Sequence, residues 1–173
     1  MAEELSRNFR LLIFGSKELS LSSKVWVEIQ LRTLLTKFKK EHPDDLFVYS
    51  SLDEGASLLG AEICCDLDIP VLGCIPFLSF PNTFKKVENS RQFRMLYPSI
   101  FNLKVVGESP NYETYRKRDL YLLHQSNFAI CIWDQQEEST RYFWGLLMSR
   151  WANTKNQVYH INYKNHTNNN FLL

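Results

Sequence analysis

Long hydrophobic runs are missing from this chain of 173 residues. None approaches the roughly 18 apolar residues that a membrane-spanning helix needs, so no membrane partner is expected. The opening stretch MAEELSRNFR is polar and acidic, where a secretory leader is basic and then apolar. Charge of one sign is also missing. A net charge of +1 supplies no long-range field to gather nucleic acid or an acidic ligand, so nucleic acid is not expected as a partner. A local basic face remains compatible with that balance. Cysteine is sparse: Cys64, Cys65, Cys74 and Cys131 form no C-x-x-C pair, and no histidine stands at ligand spacing beside them. They read as reduced thiols packing like small hydrophobes, as in a cytoplasmic protein, and no metal site is expected. The six glycines form neither G-x-G-x-x-G nor G-x-x-x-x-G-K-[ST]. There is no internal repeat and no linker rich in Gly, Pro or Ser.

What is present is ordinary globular composition, 45% hydrophobic and 23% charged, with 12 Phe and 8 Tyr among the aromatics. FRLLIF (Phe9–Phe14) is a continuous apolar run closed by Gly15 and reads as a buried strand. Ser22 and Ser23 offer caps to the amphipathic helix SKVWVEIQLRTLLTKFKKEH, which Pro43 ends. LFVYS (Leu46–Ser50) is a second strand, and a turn leads from it into the helix GAEICCDLD. PVLGCIPF gives a third strand, and a helix is expected near Asn89–Tyr97. FNLKVV is a short fourth strand. ETYRKRDLYLLHQS reads as helix and NFAICIWD as a fifth strand. STRYFWGLLMSRWANT reads as helix with Ser139 or Thr140 as cap, and NQVYHIN as a sixth strand. Apolar strands alternating with helices predict a single Rossmann-like α/β domain over 1–162. Its mainly parallel sheet of about six strands has helices on both faces. Residues 78–110 are a candidate lid or dimer insertion, and 163–173 a loose tail.

In such sheets ligands bind beyond the carboxyl ends of the strands, where helix N-termini present free amides. The informative residues therefore follow each strand. They are Gly15, Ser16 and Lys17 after the first, Asp53, Glu54, Gly55 and Gly60 after the second, Phe77 after the third, and Trp133 and Asp134 at the end of the fifth. Arg116 and Arg118 join this rim from a helix start, where a cation is disfavoured unless an anion lies nearby. The turn SSLDEGASLLGAEICC carries Gly55 and Gly60, which let backbone approach a ligand. As a motif it is weak, because two glycines between strand and helix are also ordinary punctuation. Glu62 gains from the helix dipole with or without a ligand.

Taken together, GASLLGAEICCDLDIPV resembles the second-strand motif of the SLOG superfamily, with Gly55, Gly60, Ala61 and Glu62 in the motif's places. GSKEL, TYRKRDLYLLHQSNFAICIWD and ESTRYFWGLLMSRWANTKNQVYHI are most similar to the YpsA-like (DUF1273) branch. The resemblance covers most of Phe9–Ile161 and is weak over Leu78–Pro110. It implies a cytoplasmic protein of sensor or regulatory type that binds a nucleotide or nucleotide derivative. The ligand-binding set is Gly15, Ser16, Lys17, Glu54, Gly55, Gly60, Glu62, Phe77, Arg116, Arg118, Trp133 and Asp134. Phe77 or Trp133 would stack on a base. No cofactor is implied beyond a nucleotide or ADP-ribose-like ligand, and a homo-oligomer is compatible. One alternative is a glycosidic-bond hydrolase or transferase using Glu62 or Glu54. Against it, WDQQEESTRYFWG lacks the Pro-Gly-Gly-x-Gly-Thr-x-x-x-Glu motif of the LOG enzymes. A second alternative is single-stranded nucleic-acid binding, as in the DprA branch, with the near-neutral charge against it.

Overall fold

Strand β1 (Phe9–Gly15) occupies the middle of the sheet, and its alternation organises everything around it. Successive side chains of a strand point to opposite faces. Leu11 and Ile13 enter one apolar cluster, while Leu12 and Phe14 enter the other. All four are essentially buried, which is why the run shows no polar interruption. The computed structural model describes residues 8–173. Most of the N-terminal stretch read above for a leader lies outside those residues.

The remaining elements follow in order. They are α1 (Leu21–Glu41), β2 (Leu46–Ser50), α2 (Ala56–Asp66), β3 (Val71–Ile75), α3 (Val87–Leu96), β4 (Asn102–Val105), α4 (Tyr112–Gln125), β5 (Phe128–Ile132), α5 (Glu138–Trp151), β6 (Gln157–Asn162) and β7 (Thr167–Leu172). The described residues form one sheet in the order β4-β3-β2-β1-β5-β6-β7. All pairings are parallel except β6 with β7. Helices α1, α2 and α3 contribute to the cluster of Leu11 and Ile13, and α4 and α5 to that of Leu12 and Phe14. No helix among the described residues is long and apolar enough to cross a membrane.

Several local expectations are corrected. The sheet has seven strands, because residues 167–172 of the expected tail pair antiparallel with β6. That strand, TNNNFL, is exposed along its whole length. It is held by its ladder, by Lys155 N–H donating to the Leu173 carbonyl and by Phe171 edge-on to Trp144. The cap of α1 is Ser20, whose Oγ accepts from the Ser23 amide, rather than Ser22 or Ser23. The N-cap of α5 is Glu137 rather than Ser139 or Thr140. Helix α2 begins at Ala56, a full turn before Gly60. Its residues are buried almost all round, so no polar face marks where it starts.

Candidate functional site

Strand order reverses between β1 and β5, since β2, β3 and β4 lie to one side and β6 and β7 to the other. Ligand crevices form at such a switch point, beyond the strand ends. A cleft of about 350 Å³ opens there. Gly15 and Lys17 reach it from the end of β1, and Ser51, Asp53 and Ser57 from the β2–α2 turn. Helix α4 contributes Tyr112, Tyr115, Arg116, Arg118 and Asp119, and α5 contributes Ser139, Thr140, Tyr142 and Phe143.

The electrostatic centre is Arg118, which the second turn of α4 carries inward until it is 7% exposed. Its Nε donates to Asp119 Oδ1 at 3.0 Å, and Nη2 lies 2.9 Å from the same oxygen. Nη1 stands 3.5 Å from Asp53 Oδ2, close enough for charge attraction. It makes no hydrogen bond among the described residues. Asp53 also holds Lys17, with Nζ at 3.3 Å. Burial disfavours the Arg118 charge, but Asp119 and Asp53 outweigh it and raise the pKa. Burial raises that of Asp119 against the pull of the guanidinium. The guanidinium also faces the rings of Tyr115 (5.3 Å) and Phe80 (5.7 Å). A buried donor without an acceptor costs about 1–3 kcal/mol, so an anion entering the cleft gains by supplying one. Lys17, Arg116 and Arg118 against Asp53 and Asp119 leave the cleft with a positive excess.

The aromatic wall is the other feature. Tyr112 and Tyr142 stand 66% and 48% exposed, with hydroxyls 3.4 Å apart. The hydrogen bond between them raises the Tyr142 pKa. Phe143 lies deeper against Phe14, centroid to centroid 4.6 Å. None of these three was readable as a site residue. They come from two helices that meet only in the folded chain, and no local spacing marks them. Tyr115 and Asp119 on α4 were missed for the same reason, and Ser57 because nothing in the β2–α2 turn marks which of its residues faces the cleft.

Of the residues expected from the sequence, the cleft gathers Gly15, Lys17, Arg116 and Arg118. Ser16 is buried beneath it, its amide donating to the Ile132 carbonyl and its Oγ accepting from Tyr163. Glu54 faces elsewhere, accepting from the Lys85 amide and from Asn89 Nδ2 at 3.0 Å. Glu62 accepts from Gln92. Neither carboxylate lines the cleft, so the glycosidic-bond alternative loses the groups on which it rested. Gly60 sits inside α2 against Ile13. Phe77 is fully buried beside Phe80 and Tyr115, and Trp133 is buried with Nε1 donating to the Glu137 carbonyl. Neither ring is free to stack on a base. Asp134 caps the following turn, accepting from the Gln136 and Glu137 amides.

The approach of free backbone to a ligand expected at the Gly55 turn is largely closed off. Gly55 adopts φ +86°, and a Cβ would lie 2.3 Å from the Ser16 carbonyl oxygen, so the turn packs directly on the β1–α1 loop. The Ala56 amide already donates to Ser16 O, the Glu54 amide to Asp53 Oδ1 and the Leu58 amide to the Asp53 carbonyl. Among the described residues no group of three or more His, Cys, Asp or Glu could hold a metal.

No family model matches the chain, and no curated protein matches it in sequence. Among solved structures it is similar to DNA processing protein A from Helicobacter pylori, described for its single-stranded DNA binding mode. The TM-score is 0.60 at 12% identity over 89% of this chain and 65% of that one. It also matches DNA processing protein A from Streptococcus pneumoniae, with TM-score 0.46 and 15% identity over 70% of this chain and 40% of that one. The chain thus spans less than two thirds of the length of either. The first likeness fixes the fold as the Rossmann-like arrangement that the SLOG resemblance implied. Two expectations are corrected accordingly. The small-molecule nucleotide sensor loses the Gly55 turn amides, which are already engaged, and the protein that shares the fold is described for its single-stranded DNA binding. The exclusion of nucleic acid as a partner falls with it, because it took net charge as a proxy for a local surface.

Proposed function

We propose that this chain is a single-stranded nucleic-acid-binding protein of the cytoplasm, and that the strand enters the cleft between α4 and α5. Within the SLOG superfamily we place it nearest the YpsA-like branch on its GSKEL and TYRKRDLYLLHQSNFAICIWD stretches. The observation that carries the binding reading is the pairing of two features in one crevice. One is a buried guanidinium whose Nη1 makes no hydrogen bond among the described residues, its nearest carboxylate oxygen standing 3.5 Å away. The other is a rim of two exposed tyrosines at the mouth. Sequence-tolerant binding of single strands rests on this combination, cations tracking the phosphates and aromatic faces taking the bases. A backbone phosphate oxygen gives Arg118 its missing acceptor, with Lys17 and Arg116 beside it. Tyr112 or Tyr142 offers a base its ring. Ser51, Ser57, Ser139 and Thr140 line the same walls with hydroxyls. The shared fold of the Helicobacter pylori protein supports the choice of ligand.

Fluorescence anisotropy with labelled oligothymidylate tests it, against a duplex of the same length. The single strand binds and the duplex does not compete. The double variant Tyr112→Ala/Tyr142→Ala weakens binding at least about tenfold, from the ~1–3 kcal/mol that one stacked base contributes. Equal affinity for duplex and single strand, or no loss in the variant, overturns the reading.

A further inference from the structure

A second hollow lies on the far side of Lys17 from the cleft. It measures about 60 Å³ and forms where the β1–α1 loop, the start of α2 and the start of α3 meet. Lys17, Lys24 and Lys86 line it together with Gly55, Asn89 and Gln92, and no carboxylate lines it. The nearby acids are engaged elsewhere. Glu54 is held by the Lys85 amide and Asn89, Glu62 by Gln92, and Glu18 by Lys85 at 2.8 Å. The Lys17 ammonium is paired with Asp53 at 3.3 Å, but Lys24 and Lys86 have no carboxylate partner among the described residues, and their like charges beside one small hollow favour an anion between them. At ~10–15 Å³ for each enclosed water, the space holds about four to six, comparable to the oxygens of a single tetrahedral oxyanion. It is too small for a base or a sugar.

We infer that this hollow is a second phosphate subsite, taking a backbone phosphate of the strand whose neighbouring nucleotide occupies the cleft. The inference rests on the single-strand reading. Lys17 belongs to both walls, so a strand leaving the cleft past its ammonium meets the Lys24 and Lys86 side chains next. The path runs from α4 and α5 across the end of β1 to α1 and α3, and fixes the direction in which the chain exits.

The test compares oligothymidylates of about four nucleotides, which fill the cleft alone, with ones of about twelve. Anisotropy is measured across a salt series for the full chain and for Lys24→Gln/Lys86→Gln. The double variant binds the short strand with unchanged affinity, which also reports that it is folded. It binds the long strand at least about threefold more weakly, and the log–log salt slope falls by about 0.7 for the phosphate lost. If the full chain binds both lengths and the variant matches it on each, the subsite is wrong while the cleft reading stands. If the full chain binds neither, the cleft reading fails and the subsite fails with it. A free phosphate is the other source of the same chemistry. Thermal protection by inorganic phosphate that needs Lys24 and Lys86, with long-strand affinity unaffected, overturns the strand path.

Discussion

Arg118 is expensive to bury and is kept charged by two carboxylates of different origin. Asp119 is its neighbour on α4, and Asp53 comes from the turn after β2. Removing one partner of such a buried pair typically costs about 3–5 kcal/mol, because the remaining charge is left uncompensated. That convergence explains why the sequence pointed to Arg118 only through its awkward place near a helix start. Nothing local says that a loop some sixty-five positions earlier will supply its counter-charge. The cysteines were easier to read, since Cys74 and Cys131 stand in apolar runs and a buried strand leaves them no exit. Burial pushes the Cys74 thiol up to about 12, and those of Cys64 and Cys131 higher than an ordinary thiol. The sign follows from linkage: a raised folded-state pKa gives stability that is fully present below the ordinary value near 9 and is lost as pH rises through the folded value. Guanidinium midpoints measured at about pH 8 and about pH 10 therefore fall at the higher pH. Cys74→Ala starts from a lower midpoint because it opens a cavity, but falls less over the same interval. A fall as steep as that of the parent protein removes Cys74 from the explanation.

At the level of elements, strands covered on both faces were the most legible, because β5 is apolar at every position and β1 is apolar from Leu11 to Phe14. β7 was not legible. Its six residues are exposed at the sheet edge, so neither periodicity nor hydrophobicity distinguishes TNNNFL from a tail. The start of α2 was misplaced for a related reason, an all-round buried helix having no stripe to follow. Gly60 then changes meaning. It lies within the helix, where a Cβ would stand 2.7 Å from Ile13 Cγ2, and Ile13 is fully buried and stiff at its branched Cβ. The residue is needed for the close approach of α2 to β1, and not for contact with a ligand. Gly60→Val accordingly destabilises the protein by about 1–3 kcal/mol through overpacking. Its affinity for oligothymidylate, measured well below its own melting temperature, stays that of the parent protein. A selective loss of binding with an unchanged melting temperature would return Gly60 to the site.

For the whole molecule, a net charge of +1 weighs little against the proposed nucleic-acid ligand, and the reason is spatial. Coulomb interactions in salt reach only about 8–10 Å, so a strand in the cleft responds to the groups lining it and hardly to acids on the opposite face. Lys17, Arg116 and Arg118 converge there, and Lys24 and Lys86 extend the same side. This arrangement fixes how affinity must depend on salt. A protein coated evenly with lysine would recruit a strand from far away and lose it steeply as ions are added. Here three or four phosphate contacts predict a log–log slope of about −2 to −3 at 0.7 per phosphate, with much of the affinity surviving at high salt through stacking on Tyr112 and Tyr142. A titration from low to high salt with oligothymidylate measures that slope directly. A value steeper than about −5 would require seven or more phosphate contacts, more than the cleft and the lysine hollow together supply, and would move the binding surface elsewhere on the protein.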